Sequence, residues 1–195
     1  VSDKGWARNS GSNPISSLWN YHFEMLNFHT NLVEKHSYSA NPWSWLVLGR
    51  PTSFYYQSGD SCGAGECAQE ILAMGTPLLW WSAVIAVAIT LGFYLKTVNK
   101  TAEIVLAGFA GTYLPWFIFQ DRTMFYFYSI TTLPFLILAL MYCFDLLLKY
   151  RNYQRVIQIF ILTVAINFIY FLPIYIGIEI PYSDWLNRMW LPSWI

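Results

Sequence analysis

The sequence predicts an all-α membrane protein, with four transmembrane helices preceded by an extracytoplasmic amphipathic helix and loop. Three observations predict it. Charged residues make up 11% of the 195 positions, against 56% hydrophobic and 19% aromatic, whereas soluble domains carry about 25% charged residues. Four long apolar runs follow residue 76. The connectors between them alternate in basic content, as the positive-inside rule requires of a polytopic chain.

Residues 1–70 form the first unit, and no apolar run in them is long enough to span a bilayer. The opening Val1-Ser2-Asp3-Lys4-Gly5-Trp6 has neither the charged region nor the apolar stretch of a signal peptide. Asn13-Pro14 reads as an N-cap followed by proline at the first helical position, opening a helix to about Glu34. Ile15, Leu18, Trp19, His22, Leu26, His29 and Val33 recur on one of its faces. The helix carries no lysine or arginine before Lys35. It therefore lacks the basic face of helices that bind anionic lipid, and packing against the protein's own bundle is expected. Residues 36–57, rich in Pro, Trp and Tyr, read as an ordered loop, and Ser58 to Gly65 as a flexible Gly/Ser-rich turn.

Residues 71–195 form the membrane unit, with spans expected at 77–95, 104–119, 128–148 and 156–178. The first has 19 residues, nearly enough at about 1.5 Å each for a hydrocarbon core of about 30 Å. The second is short and needs flanking residues or a locally thin bilayer. Connectors 96–100 and 149–155 hold Lys96, Lys100, Lys149, Arg151 and Arg155 and no acid, so they are assigned to the cytoplasm. Residues 1–70, the Asp121-Arg122 turn and the C-terminal tail then face outward. Trp80, Trp81, Trp116, Trp185, Trp190 and Trp194 gather toward that side as an aromatic belt. An outward N-terminal segment without a signal implies an upstream helix, hence a missing N-terminal transmembrane half. The expected location is the plasma membrane, multi-pass, with residues 1–70 and the C terminus extracytoplasmic.

Cys62 and Cys67 flank a Gly-rich turn on the oxidising side, where a disulfide is sterically easy and is expected, two free thiols being the alternative. His22, His29 and His36 are spaced by seven, which separates helical neighbours by about 10.5 Å. That is too far to share an ion at a bond length of about 2 Å, and no metal or other cofactor is expected. Asp145 and Lys149 form an i,i+4 pair, and Asn167 and Gln158 suit interhelical hydrogen bonds. The Asn99-Lys100-Thr101 sequon falls on the cytoplasmic side and is discounted. Arg122 admits two readings. It snorkels to lipid headgroups, or its fork binds the phosphate of a lipid-linked substrate with Asp121 orienting it. Zero net charge offers nothing to nucleic acid. No Gly-rich phosphate loop, G-x-S-x-G elbow or H-E-x-x-H motif occurs.

The stretch His36-Ser37-Tyr38-Ser39-Ala40-Asn41-Pro42-Trp43-Ser44-Trp45, running on to Tyr56, resembles the post-loop segment of protein O-mannosyltransferases. Leu114-Pro115-Trp116 through Gln120-Asp121-Arg122-Thr123-Met124-Phe125-Tyr126-Phe127-Tyr128, with Leu133-Pro134-Phe135, is similar to the bacterial branch of that family. Leu46 departs from the proline of many eukaryotic members. The resemblance implies the C-terminal part of a type C glycosyltransferase fold. It also implies a polyprenyl-phosphate mannose donor and exported polypeptides as Ser/Thr acceptors. The family's catalytic carboxylate lies upstream of the matched region, so the fragment alone is expected to be inactive. On this reading Arg122 and Asp121 meet the donor phosphate. His36, Tyr38, Trp43 and Trp45 either wall the substrate pocket or anchor the loop in the interface. A noncatalytic polytopic scaffold or assembly module is the rival reading.

Overall fold

A computed structural model describes residues 13–60, 62–63, 65–150 and 153–195, the side chain of Tyr150 excepted. The stretch 1–12, read above for its lack of a signal, and Arg151, counted above among the cytoplasmic basic residues, lie outside the described residues.

Helix α1 spans Pro14–Thr30, with the Asn13 side chain accepting from the Ile15 amide at 3.0 Å. It stops four residues short of Glu34, because Asn31 closes it. The Asn31 amide and side chain both donate to the Asn27 carbonyl, at 3.2 and 2.8 Å. No residue of α1 is buried, and Ile15 and Trp19 are 76% and 72% exposed. The expected packing of its apolar face on the bundle is therefore not found. The attachment runs instead through the segment that follows, where Thr123 donates to the carbonyls of Leu32 and Glu34.

Four long helices form the bundle: α3 (Pro77–Thr97), α4 (Lys100–Tyr113), α5 (Leu133–Tyr150) and α6 (Gln154–Ile176). Helix α4 continues as a 3-10 turn over Leu114–Phe119, so Lys100–Phe119 gives 20 residues. This unit, α3 and α6 are each long and apolar enough to cross a membrane. The 18 residues of α5 reach about 27 Å. The second span starts a turn before Ile104 because the Asn99 side chain caps it, accepting from Thr101 and Ala102 at 2.8 and 3.2 Å. The third starts later than Tyr128, because Tyr126–Thr131 forms a separate 3-10 turn and Pro134 sits in the first turn of α5. Gly177, at φ 71°, ends α6 in the left-handed conformation.

Helix α5 packs against both α3 and α4, and α6 packs on α3. Close approach comes from small residues. Ala83, Ala86 and Ala139 are buried, and a Cβ on Gly108 would overlap the Phe135 ring. Asn167 accepts from the Leu78 amide at 3.1 Å, joining α6 to α3, whereas Gln158 is exposed. Asp145 and Lys149 pair at 2.5 Å on the surface. Ile85, Ile104, Ile159, Leu162 and Ile169 remain exposed on the bundle, as lipid contact requires.

The structure departs from an all-helical expectation in one place. Residues read as loop contain a short helix, α2 (Pro42–Trp45), and strand β1 (Thr52–Gly59). Strand β1 pairs antiparallel with β2 (Cys67–Ala73), which pairs with β3 (Ile180–Pro181), in the order β1-β2-β3. Cys62 and Cys67 are joined by a disulfide across the hairpin turn, Cα to Cα 6.0 Å. Connectivity places this sheet at the end of the bundle where α3 begins, α4 ends, α5 begins and α6 ends. Helix α7 (Tyr182–Leu186) and a 3-10 turn at Pro192–Trp194 lie beyond β3.

Candidate functional site

The segment between α1 and β1 is largely irregular, and buried irregular backbone must find its hydrogen-bond partners within the protein. Tryptophan supplies several. The Trp45 indole donates to the Ala40 carbonyl at 3.0 Å, Trp80 to the Trp45 carbonyl at 3.0 Å and Trp194 to the Leu48 carbonyl at 2.6 Å. Tyr113 donates to the Pro42 carbonyl at 3.0 Å. Leu48 is buried at φ 57°, so the chain turns sharply there, and the Gly49 amide closes the turn on the Ser44 carbonyl at 2.8 Å. Trp80, Trp185 and Trp194 are thus buried, not lodged in a lipid-facing belt. Their rings pack at the same end of the bundle, and the indole N–H explains why tryptophan is used.

Trp45 carries this frame to Arg122. Its ring, wholly buried, meets Trp116 edge-on at 5.6 Å and Tyr128 at 6.5 Å. Trp116 and Tyr128 stack at 5.1 Å and 12°. The Arg122 guanidinium lies over the Tyr128 ring at 5.4 Å, with Nη2 3.5 Å from the hydroxyl. Arg122 Nε is shielded from solvent and has no hydrogen-bond partner among the described residues. Asp121, beside it, is exposed, and no ion pair joins the two among the described residues. The arginine rests on Tyr128, not on Asp121.

Of the proposed pocket residues, His36 is exposed and stands edge-on to Phe125 at 5.1 Å; Phe125 in turn meets Tyr128 at 6.0 Å. Tyr38 is half-buried under the Arg50 guanidinium at 5.2 Å. Trp43 is 63% exposed on α2. Trp45 presents no open face to a substrate among the described residues and instead supports the cluster by packing against Trp116 and Tyr128. His36 and Arg122 are thus bridged by Phe125 and Tyr128, while Trp43 projects on its own. No group of three or more His, Cys, Asp or Glu side chains suited to a metal exists among the described residues.

Sequence reasoning missed Glu70. It is buried on β2, accepting from the Trp185 indole at 2.6 Å. Burial pushes its carboxyl above the usual carboxylate range, against the opposing effect of hydrogen bonds from Trp185 and Ser53. Partial desolvation of its own, with Tyr182 and Glu70 nearby, raises the exposed Tyr56. A glutamate among Cys67-Ala68-Gln69-Ile71-Leu72-Ala73 was the available signal, since the alternate partners of a strand in that run are apolar.

Long apolar helices with exposed apolar flanks, and an aromatic-backed arginine at one end, define a multi-pass helical membrane protein. The chain belongs to the family described as the C-terminal four-transmembrane region of protein O-mannosyltransferases, which matches residues 14–194. It is 31% identical to a polyprenol-phosphate-mannose–protein mannosyltransferase of Mycolicibacterium smegmatis, over 92% of this chain and 38% of that protein. Identity is 29% to the Mycobacterium tuberculosis protein of the same name, over 92% of this chain and 37% of that one. The solved Pmt1–Pmt2 protein O-mannosyltransferase complex of Saccharomyces cerevisiae, bound to the sugar donor, superposes with a TM-score of 0.78 at 26% identity. That match covers 94% of this chain and 27% of the yeast chain. The chain therefore spans under two-fifths of the length of the bacterial relatives it matches.

Proposed function

We propose that this chain forms the C-terminal membrane portion of a glycosyltransferase that moves mannose from polyprenyl-phosphate mannose to Ser or Thr hydroxyls of exported proteins. One observation carries the local part of the reading: Arg122 holds a solvent-shielded, unpartnered Nε on an aromatic platform. A buried donor without a partner is costly and calls for an acceptor, and a phosphate oxygen supplies one. In the reaction the acceptor hydroxyl oxygen bonds to the anomeric carbon as the bond from that carbon to the phosphate oxygen breaks. Polyprenyl phosphate departs with the electron pair, and the hydroxyl proton passes to a base. Arg122 stabilises the departing phosphate. The base is the upstream carboxylate that the family resemblance implies, so residues 1–195 alone are inactive. His36, Tyr38 and Trp43 offer aromatic surfaces to the sugar or acceptor, with Trp45 supporting Trp116 and Tyr128 under the arginine.

Membranes containing the full-length protein should transfer mannose from synthetic polyprenyl-phosphate mannose to a Ser/Thr peptide, and membranes containing residues 1–195 alone should not. A full-length protein without transfer favours the scaffold reading. The proposed sidedness puts Lys100 and Lys149 in the cytoplasm. An amine reagent that cannot cross the membrane should therefore leave both unlabelled in intact cells and modify them after permeabilisation. Labelling in intact cells overturns the orientation.

A further inference from the structure

Strand β1 is an edge. Its pairing partner is β2, and no backbone hydrogen bond to another segment runs from Phe54–Ser58 among the described residues. Every second residue of an edge strand presents its N–H and C=O outward, and natural edges are usually protected by lysine, proline or brevity. Here the sequence Thr-Ser-Phe-Tyr-Tyr-Gln-Ser-Gly has eight residues and neither charge nor proline. The register shift between Ser53 and Tyr55 disturbs its first residues and leaves Tyr55–Gly59 in regular pairing. Phe54, Tyr55, Tyr56, Gln57 and Ser58 are all exposed.

The edge also leads to the site. Phe54 meets Phe127 at 5.5 Å, Phe127 meets Tyr128 at 4.8 Å, and Tyr128 carries Arg122. At the other end of the strand, Gly59 pairs with Cys67 of the disulfide, which pins the hairpin turn. We propose that the Tyr55–Gly59 edge of β1 binds an extended segment of the acceptor polypeptide by strand addition, directing it past Phe54 toward Arg122. This deepens the transferase reading above and rests on it. The occupant follows from the chemistry of the edge. Backbone hydrogen bonds accept any side chain, as one catalyst acting on hydroxyls in differing sequences requires, and an uncharged strand repels neither acidic nor basic segments. The run of contacts from β1 to Arg122 brings that chain to the donor phosphate.

The test uses the full-length protein in vesicles and a Ser/Thr acceptor peptide N-methylated at one position at a time. Strand addition predicts that methylation raises the acceptor KM about fivefold at alternate positions and little at the positions between, with the donor KM unchanged. A photoreactive phenylalanine analogue at Gln57 should cross-link to the peptide, and excess unlabelled peptide should abolish the product. A KM profile without the two-residue period overturns the proposal. So does a Gln57 cross-link to an upstream part of the protein, or to a second copy, that peptide does not displace. Should the peptide cross-link at Gln57, with methylation at alternate peptide positions lowering the yield, and yet not be mannosylated, the transferase reading falls and strand addition stands.

Discussion

Arg122→Ala in the full-length protein is expected to lower mannosyl transfer about a hundredfold, in line with the loss of one preorganised group that stabilises developing charge. The side chain already lies on Tyr128 with Nε shielded, so little ordering is required when the donor arrives. The effect falls on donor KM and on kcat, because the phosphate is negative in the ground state and gains charge as the sugar departs. Arg122→Lys keeps the charge and loses the fork, and should recover part of the rate. Steady-state transfer from synthetic donor, with the thermal stability of each variant measured alongside, provides the check. A normal rate with alanine at 122 leaves the residue as a headgroup anchor and removes the phosphate role.

Trp45→Ala is expected to destabilise the protein by about 3–5 kcal/mol, the usual cost of emptying a buried aromatic site. It removes the edge that holds Trp116 and Tyr128, and strips the Ala40 carbonyl of its donor. Trp45→Phe retains most of the ring volume and loses the N–H, at a cost of about 1–3 kcal/mol for the orphaned carbonyl. Melting in detergent should follow the order wild type, Trp45→Phe, Trp45→Ala, with transfer declining in parallel. If alanine at 45 abolishes transfer while the melting temperature holds, Trp45 acts on substrate directly and its supporting role is wrong.

The membrane class was legible in the sequence because apolar run length and scarcity of charge are one-dimensional properties that a bilayer reads directly. The start of α1 was legible in Asn13-Pro14, where cap chemistry is local. Its end was misplaced because Asn31, a C-cap acting through Asn27, stands within a pattern that still looks periodic. The hairpin was lost for a different reason. Phe54-Tyr55-Tyr56 in an aromatic-rich stretch reads equally as interfacial loop, and the pairing that makes it a strand lies across the Gly-rich turn. The alternation of Ala68, Glu70 and Leu72 with Gln69 and Ile71 carried the missing signal. At the site, sequence reasoning offered Arg122 as a headgroup anchor or a phosphate ligand, and Trp45 as a pocket wall or an interfacial anchor. Nothing local distinguishes a tryptophan facing a sugar from one that donates to a carbonyl five residues back. The platform under the arginine, Tyr128 with Trp116, is a tertiary arrangement, and the sequence reading placed Trp116 only in the interfacial aromatic belt.

The tail is bound into the loop that frames the site. Trp194 donates to the Leu48 carbonyl across 146 positions, and Arg50 donates to the Ser193 carbonyl at 2.5 Å while reaching back to Ser37 at 3.3 Å. Contacts that distant form late, because the intervening chain must first be brought together. During biosynthesis the loop around Arg50 therefore waits, half-made, until α6 has entered the bilayer and the residues behind it have emerged. A ribosome stalled in α6 would leave a protein with its first three oily spans in place and the loop around Arg50 unfinished.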